Sequence, residues 1–186
     1  MAHSHASILV GSLLICGAFA APSLSSSGDA GVPGPERFEG ECTMSGVIRH
    51  TPPMTMQPAP TKVRGSFKGV CSGKLTDRRG RTHRLDDARA RYKARGAGEL
   101  SCLGGKVPGT GRLLFGRRRS IKVSLTERRT PGAAVVALRG DAGGRATVRG
   151  TVSQSEDLAE ISERCNGSGL RWLRGDARIT SPGISG

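Results

Sequence analysis

The chain has 186 residues, a formal net charge of +14 and 3% aromatic side chains. That length fits one domain and excludes several, and the scarcity of aromatics leaves Val, Leu, Ile and Ala to build the core. It also excludes the aromatic stacking platforms of single-strand nucleic-acid binders, so the charge speaks to anionic partners in general.

The first element is the apolar run Ile8–Ala21, ILVGSLLICGAFAA. It is shorter than the roughly 20 residues of a membrane-spanning helix. It ends in Ala18-Phe19-Ala20, the small-x-small pattern of a signal-peptidase site. A secretory signal peptide over residues 1–20 is expected, although no Lys or Arg precedes the apolar core. Cleavage before Ala21 is favoured over a cut before Pro22. Ile15 argues against lipid attachment at Cys16. Export discards Cys16 and leaves Cys42, Cys71, Cys102 and Cys165, an even set in an oxidising compartment, so two disulfides are expected. Cys42 and Cys71 begin and end what read as neighbouring strands. That assigns Cys42 to Cys71 and Cys102 to Cys165.

Residues 21–37, including PSLSSSGDAGVPGP, have no apolar period and read as a flexible linker. A β domain is expected over 38–180. Val63, Gly65, Phe67, Gly69 and Cys71 alternate with polar residues, as do Ile121, Val123 and Leu125, and Ala146, Val148, Gly150 and Val152. This period of two marks half-buried strands. Ala133–Leu138 is continuously apolar and reads as a strand buried on both faces. Thr51–Pro60 carries prolines and methionines and reads as a long loop between the first two strands. Ser155–Arg164 suits either a short helix begun by a Ser cap and acids or a loop. Leu170–Ile179 reads as the last strand, and 181–186 as a disordered tail. Phe67, Phe115 and Trp172 are expected inside. The fold class is all-β: a single-domain sandwich or closed barrel of roughly eight to ten short antiparallel strands.

The stretches Cys42-Thr-Met-Ser-Gly46, Phe67-Lys-Gly-Val-Cys-Ser-Gly-Lys-Leu75, Gly98-Glu-Leu-Ser-Cys-Leu-Gly-Gly105, Gly111-Arg-Leu-Leu-Phe-Gly116 and Cys165-Asn-Gly-Ser-Gly-Leu170 carry a resemblance. Together they resemble the small secreted four-cysteine, β-rich proteins of high-GC Gram-positive bacteria. The resemblance implies an all-β fold with paired cysteines and no particular catalytic residue. This chain departs from that group by placing Arg where Ser and Thr are usual on outward positions.

Candidate function centres on that charge. Arg89, Arg91, Lys93 and Arg95 alternate with Ala88, Ala90, Tyr92 and Ala94, lining one face of a strand, and Arg117, Arg118 and Arg119 cluster in one turn. Such a field attracts polyanions: anionic cell-wall polymers, lipid headgroups or extracellular nucleic acid. No nucleic-acid module is present, so specific nucleic-acid recognition is not expected. The plain alternative is a solvated face enriched in Arg by high-GC coding. His83 with Asp86 or Asp87 suggests an acid/base pair or a weak metal site, or more plainly a charged turn between strands, and no nucleophile motif accompanies it. His50 and His83 lie near no cysteine pair, so neither a metal site nor a cofactor is expected. Arg-Gly-Asp at Arg139–Asp141 and Arg174–Asp176 is attributed to chance in an Arg- and Gly-rich chain, and the Asn166-Gly-Ser168 glycosylation sequon matters only in a eukaryotic host, which the composition argues against. The function expected is a secreted, non-enzymatic domain that binds anionic envelope polymers through a basic face. The alternative is a small secreted hydrolase or a ligand-holding barrel. A packed or a hollow interior separates the two.

Overall fold

The computed structural model describes residues 33–186. The expected signal peptide, and the expected linker up to residue 32, lie outside the described residues.

Alternating apolar and polar residues fold into eight antiparallel strands and one short helix. They are β1 (Arg37–Met54), β2 (Ala59–Thr76), β3 (Thr82–Ser101), β4 (Gly104–Phe115), β5 (Arg119–Thr130), β6 (Ala133–Gly140), β7 (Gly144–Val152), α1 (Leu158–Asn166) and β8 (Leu170–Ser185). Each strand pairs with its neighbour in the chain, and β8 pairs back onto β1. The result is a closed up-and-down barrel, which leaves no sheet edge exposed. The three inward rows read from the alternation all face the interior, and Phe67 and Phe115 are buried.

Several strands are longer than the short ones expected: β1 and β2 have 18 residues each and β3 has 20. Glycine permits the curvature this needs. A Cβ on Gly69 would stand 2.0 Å from the Thr43 carbonyl oxygen, and one on Gly46 2.2 Å from that of Ser66. Backbones that close tolerate no side chain. Thr51–Pro60 is not one long loop, because β1 runs to Met54 and β2 begins at Ala59. Pro52 and Pro53 fall where β1–β8 pairing lapses between Arg49 and Met54, so their missing N–H groups cost that ladder nothing.

The ends of the domain also differ from expectation. Glu36 is buried and its Oε2 accepts from the Ser120 N–H at 2.7 Å, so the ordered chain starts before residue 38. Residues 181–185 belong to β8: Ser181 Oγ donates to the Phe38 carbonyl at 3.0 Å and Ile184 is buried. β6 is buried on one face only, with Val135 51% exposed, because a single-walled barrel has one interior. Trp172 lies outside, 42% exposed, with the Arg164 and Arg174 guanidiniums 5.2 and 5.9 Å from its ring centroid. α1 is capped by Asp157, whose Oδ1 accepts from the Ala159 N–H at 2.8 Å, and not by Ser155.

Both disulfides form as assigned. Cys42 and Cys71 face each other across β1 and β2, with Cα atoms 4.0 Å apart. Cys102, just after β3, is bonded to Cys165 on α1. Two disulfides are consistent with an extracellular protein. No helix among the described residues is long and apolar enough to cross a membrane.

The barrel has two unlike ends. Where β1 begins and β8 finishes, the interior is filled, with the Phe38 and Phe115 rings 5.0 Å apart. The opposite, helix end holds a smaller apolar cluster of Met54, Val63, Leu100, Val107, Cys165 and Leu170.

Candidate functional site

The register of β1 to β7 decides where the charges go. Arg89, Arg91, Lys93 and Arg95 all point outward from β3 and are exposed. Arg64 on β2 stands directly opposite both Arg49 and Arg95, and Lys68 stands opposite Arg91. Across β3 and β4, Lys93 faces Arg112, which in turn faces Lys122 on β5. No acid interrupts these rows, and Asp141 lies at the end of one, beside Lys122. Among the described residues none of these cations forms a salt bridge, and Arg95 has only a 3.5 Å hydrogen bond to Thr110 Oγ1. Arg117 and Arg118 are exposed in the turn after Phe115, whose partner is Ala90, so they flank the Arg89 end of the face. Arg119 turns away, with Nη2 3.2 Å from His83 Nε2. The cations on β1, β2, β4 and β5 need the register to be recognised as one surface. Their outward parity is the only signal the sequence carries.

His83 does not pair with Asp86 or Asp87. Its Nε2 lies 3.1 Å from Asp77 Oδ2, and Asp87 instead accepts from Ser72 Oγ. Asp77 Oδ1 also accepts the backbone N–H groups of Arg79 and Arg81 at 2.9 and 3.0 Å. The His83 contact, and then these amides, hold the Asp77 carboxyl well below the usual carboxylate range. This cluster ties the β2–β3 turn. Of the Arg-Gly-Asp tripeptides, one enters the β6–β7 turn and the other lies within β8.

The helix end contains a polar arrangement that sequence reading missed. Glu127 and Arg129 continue the inward row Ile121–Val123–Leu125 of β5. Arg129 donates from Nε and Nη2 to Glu127 Oε1, at 2.9 and 2.5 Å, and from Nη1 to His50 Nε2 at 2.7 Å. His50 projects from β1, on the opposite wall, so the three side chains brace the barrel from side to side. Below the brace, between Phe67, Tyr92, Leu125, Val136 and Val148, lies a cavity of about 130 Å³. The interior is therefore packed at one end and keeps a cavity at the other.

Burial first, and the Arg129 guanidinium second, hold the His50 imidazole down to about 3, with the Leu170 backbone partly offsetting them. The folded chain thus keeps His50 neutral, while the unfolded chain protonates it below about 6.5. Between these values the unfolded state binds the extra proton, so stability rises with pH, by up to about 1.4 kcal/mol per unit. This contribution is complete above about pH 6.5 and is lost as the pH falls toward 3. Urea titrations from pH 7 to 4 are expected to show this slope in the native chain and a shallower one in His50→Gln. Equal slopes would remove His50 as the cause.

A closed barrel with a basic flank and an interior cavity at one end is the class of protein these features define. Comparison with protein-family models, with curated proteins and with solved structures finds no match for the chain.

Proposed function

We propose that this is an exported, non-enzymatic binding barrel that holds a phosphate-bearing cell-envelope polymer against the outer face of β1 to β4. The observation that carries this reading is the run Arg49–Arg64–Arg95, like charges placed directly opposite one another across three strands. Like charges in that relation destabilise a sheet, and a polyanion offsets the cost. Neighbouring strands set cations roughly 5 Å apart, and alternate residues along a strand roughly 7 Å apart. A polymer with one phosphate per short repeat meets such a grid at many points. The predominance of Arg favours phosphate, which its planar fork bonds bidentately.

The hydrolase alternative finds little support at the helix end. The acid turned inward there, Glu127, is bound to Arg129 by two hydrogen bonds.

The test is retention of the chain from Ala21 onward on immobilised heparin and on purified phosphate-bearing wall polymer, eluted by salt. The variant Arg64→Gln/Lys93→Gln/Arg95→Gln/Arg112→Gln is expected to elute at clearly lower salt. Its log–log salt dependence should be reduced by roughly three, with urea stability unchanged or raised. Elution of the native chain at very low salt would overturn the reading, as would equal retention of the variant. Tighter retention on duplex DNA than on wall polymer at equal salt would replace the envelope polymer with nucleic acid.

A further inference from the structure

We infer that the hollow helix end of the barrel is a binding site for a small uncharged molecule with an apolar, ring-sized body and one hydroxyl or carbonyl that hydrogen-bonds Tyr92 Oη. This site is separate from the basic face and does not rest on the polymer reading.

Space comes first. An eight-stranded barrel is wide enough for side chains to fill its interior or to hold one small ligand. Here the terminal end takes the first course. At the helix end several inward positions carry little or no side chain, among them Gly65, Ala94, Gly150 and Gly175. At Gly150 a Cβ would meet nothing closer than 3.8 Å. The glycine there is not enforced by a crowding backbone, and its missing side chain leaves room. The cavity, about 130 Å³, approaches the roughly 150 Å³ of an engineered apolar cavity that binds benzene. Its lining reaches from Ile161 of α1 to the exposed β5–β6 turn at Thr130 and Gly132, so the cover and the opening both belong to this end.

Polarity comes second. Tyr92 is 4% exposed, lines this cavity, and its hydroxyl has no hydrogen-bond partner among the described residues. A buried hydroxyl without a partner is costly. The ring leans over Gly111, where a Cβ would stand 3.2 Å from Oη, so the missing side chain is what admits the phenol. A ligand hydroxyl or carbonyl completes it.

Charge comes third. Of the four charged residues that line the cavity, Glu127 and Arg129 face inward and neutralise each other, while Arg95 and Asp176 leave the inward positions to their neighbours Ala94 and Ala177. Arg129 also gives Nη1 to His50 and to Met54 Sδ. A carboxylate entering the cavity finds the Arg129 guanidinium already bound to Glu127, and an ammonium finds the Glu127 carboxylate already bound to Arg129. An uncharged guest leaves the brace intact. Burial, and then the Glu127 charge, push the Tyr92 phenol up, so it stays protonated and available as a donor.

The test uses the chain from Ala21 onward with both disulfides intact, titrated by calorimetry and by protein NMR with phenol, benzene, benzoate and benzylamine. Phenol is expected to bind roughly three- to tenfold more tightly than benzene, the increment of one neutral hydrogen bond. The charged pair should bind no more tightly than benzene. Tyr92→Phe should erase the preference for phenol while still admitting benzene. Gly150→Leu, or Gly150→Val if the former does not fold, should weaken phenol and benzene alike. The inference is overturned if native protein binds neither phenol nor benzene at millimolar concentration. It is equally overturned if benzoate or benzylamine binds as tightly as phenol, or if Tyr92→Phe keeps the phenol preference. A polymer that still binds the basic face in those experiments leaves the two readings independent.

Discussion

Arg129→Met is expected to destabilise the barrel by about 3–5 kcal/mol in urea denaturation at pH 7. The Arg129 and Glu127 side chains are only 8% and 12% exposed. Removing the guanidinium strands a carboxylate in an apolar interior and takes away the donor to His50. The loss reflects that stranded charge more than the worth of the pair, because both ions were desolvated to form it. The double variant Glu127→Gln/Arg129→Met should therefore recover most of the stability. A single variant no less stable than the double would mean that water reaches Glu127 and that the brace is not closed to solvent.

Removing the other crosslink at the same end should be nearly as severe. Cys102→Ser/Cys165→Ser opens a loop with a sequence separation of 63, and chain-entropy arguments put the loss at about 4 kcal/mol. The Cys42–Cys71 loop, with a separation of 29, gives a similar figure of about 3.5 kcal/mol. The two differ in where the damage appears. Cys42 and Cys71 join residues that a strand ladder already holds together. Cys102–Cys165 fastens α1, whose Leu158 is exposed and whose Ile161 is only partly buried. Hydrogen exchange should therefore accelerate across α1 in that variant while β1 to β3 keep most of their protection. Uniform acceleration over the barrel would show that the crosslink acts only through the unfolded state.

How much of this was legible depended on whether a feature repeats along one strand or arises between strands. The inward rows of β2, β5 and β7 follow from parity within each strand, as does the outward row Arg89–Arg95. Followed two steps further, the same parity in β5 reaches Glu127 and Arg129, and in β1 it runs from Cys42 to His50. Charge at the end of an apolar row looks like the end of a strand, and only the facing wall shows it to be a brace. Trp172 illustrates the opposite error, where size suggested the core but its neighbours Leu173 and Gly175 take the inward positions. The Ser-, Pro- and Gly-containing segment 181–186 has no core pattern of its own. It is ordered because β1 and β7 supply partners on both sides.

That last pairing has a consequence for the order in which the barrel assembles. Every other ladder joins strands consecutive in the chain: those from β1 to β7 can form as local hairpins, and β7–β8 closes over α1. The β1–β8 seam sets Arg37 opposite Ser185, so its loop-closure entropy is carried by almost the whole domain. Local hairpins form in microseconds, whereas contacts of such separation slow folding. The seam, bridged by the Arg178–Glu41 ion pair, is where a cylinder must be made from a curled ribbon. It is the step at which this topology sets its folding rate.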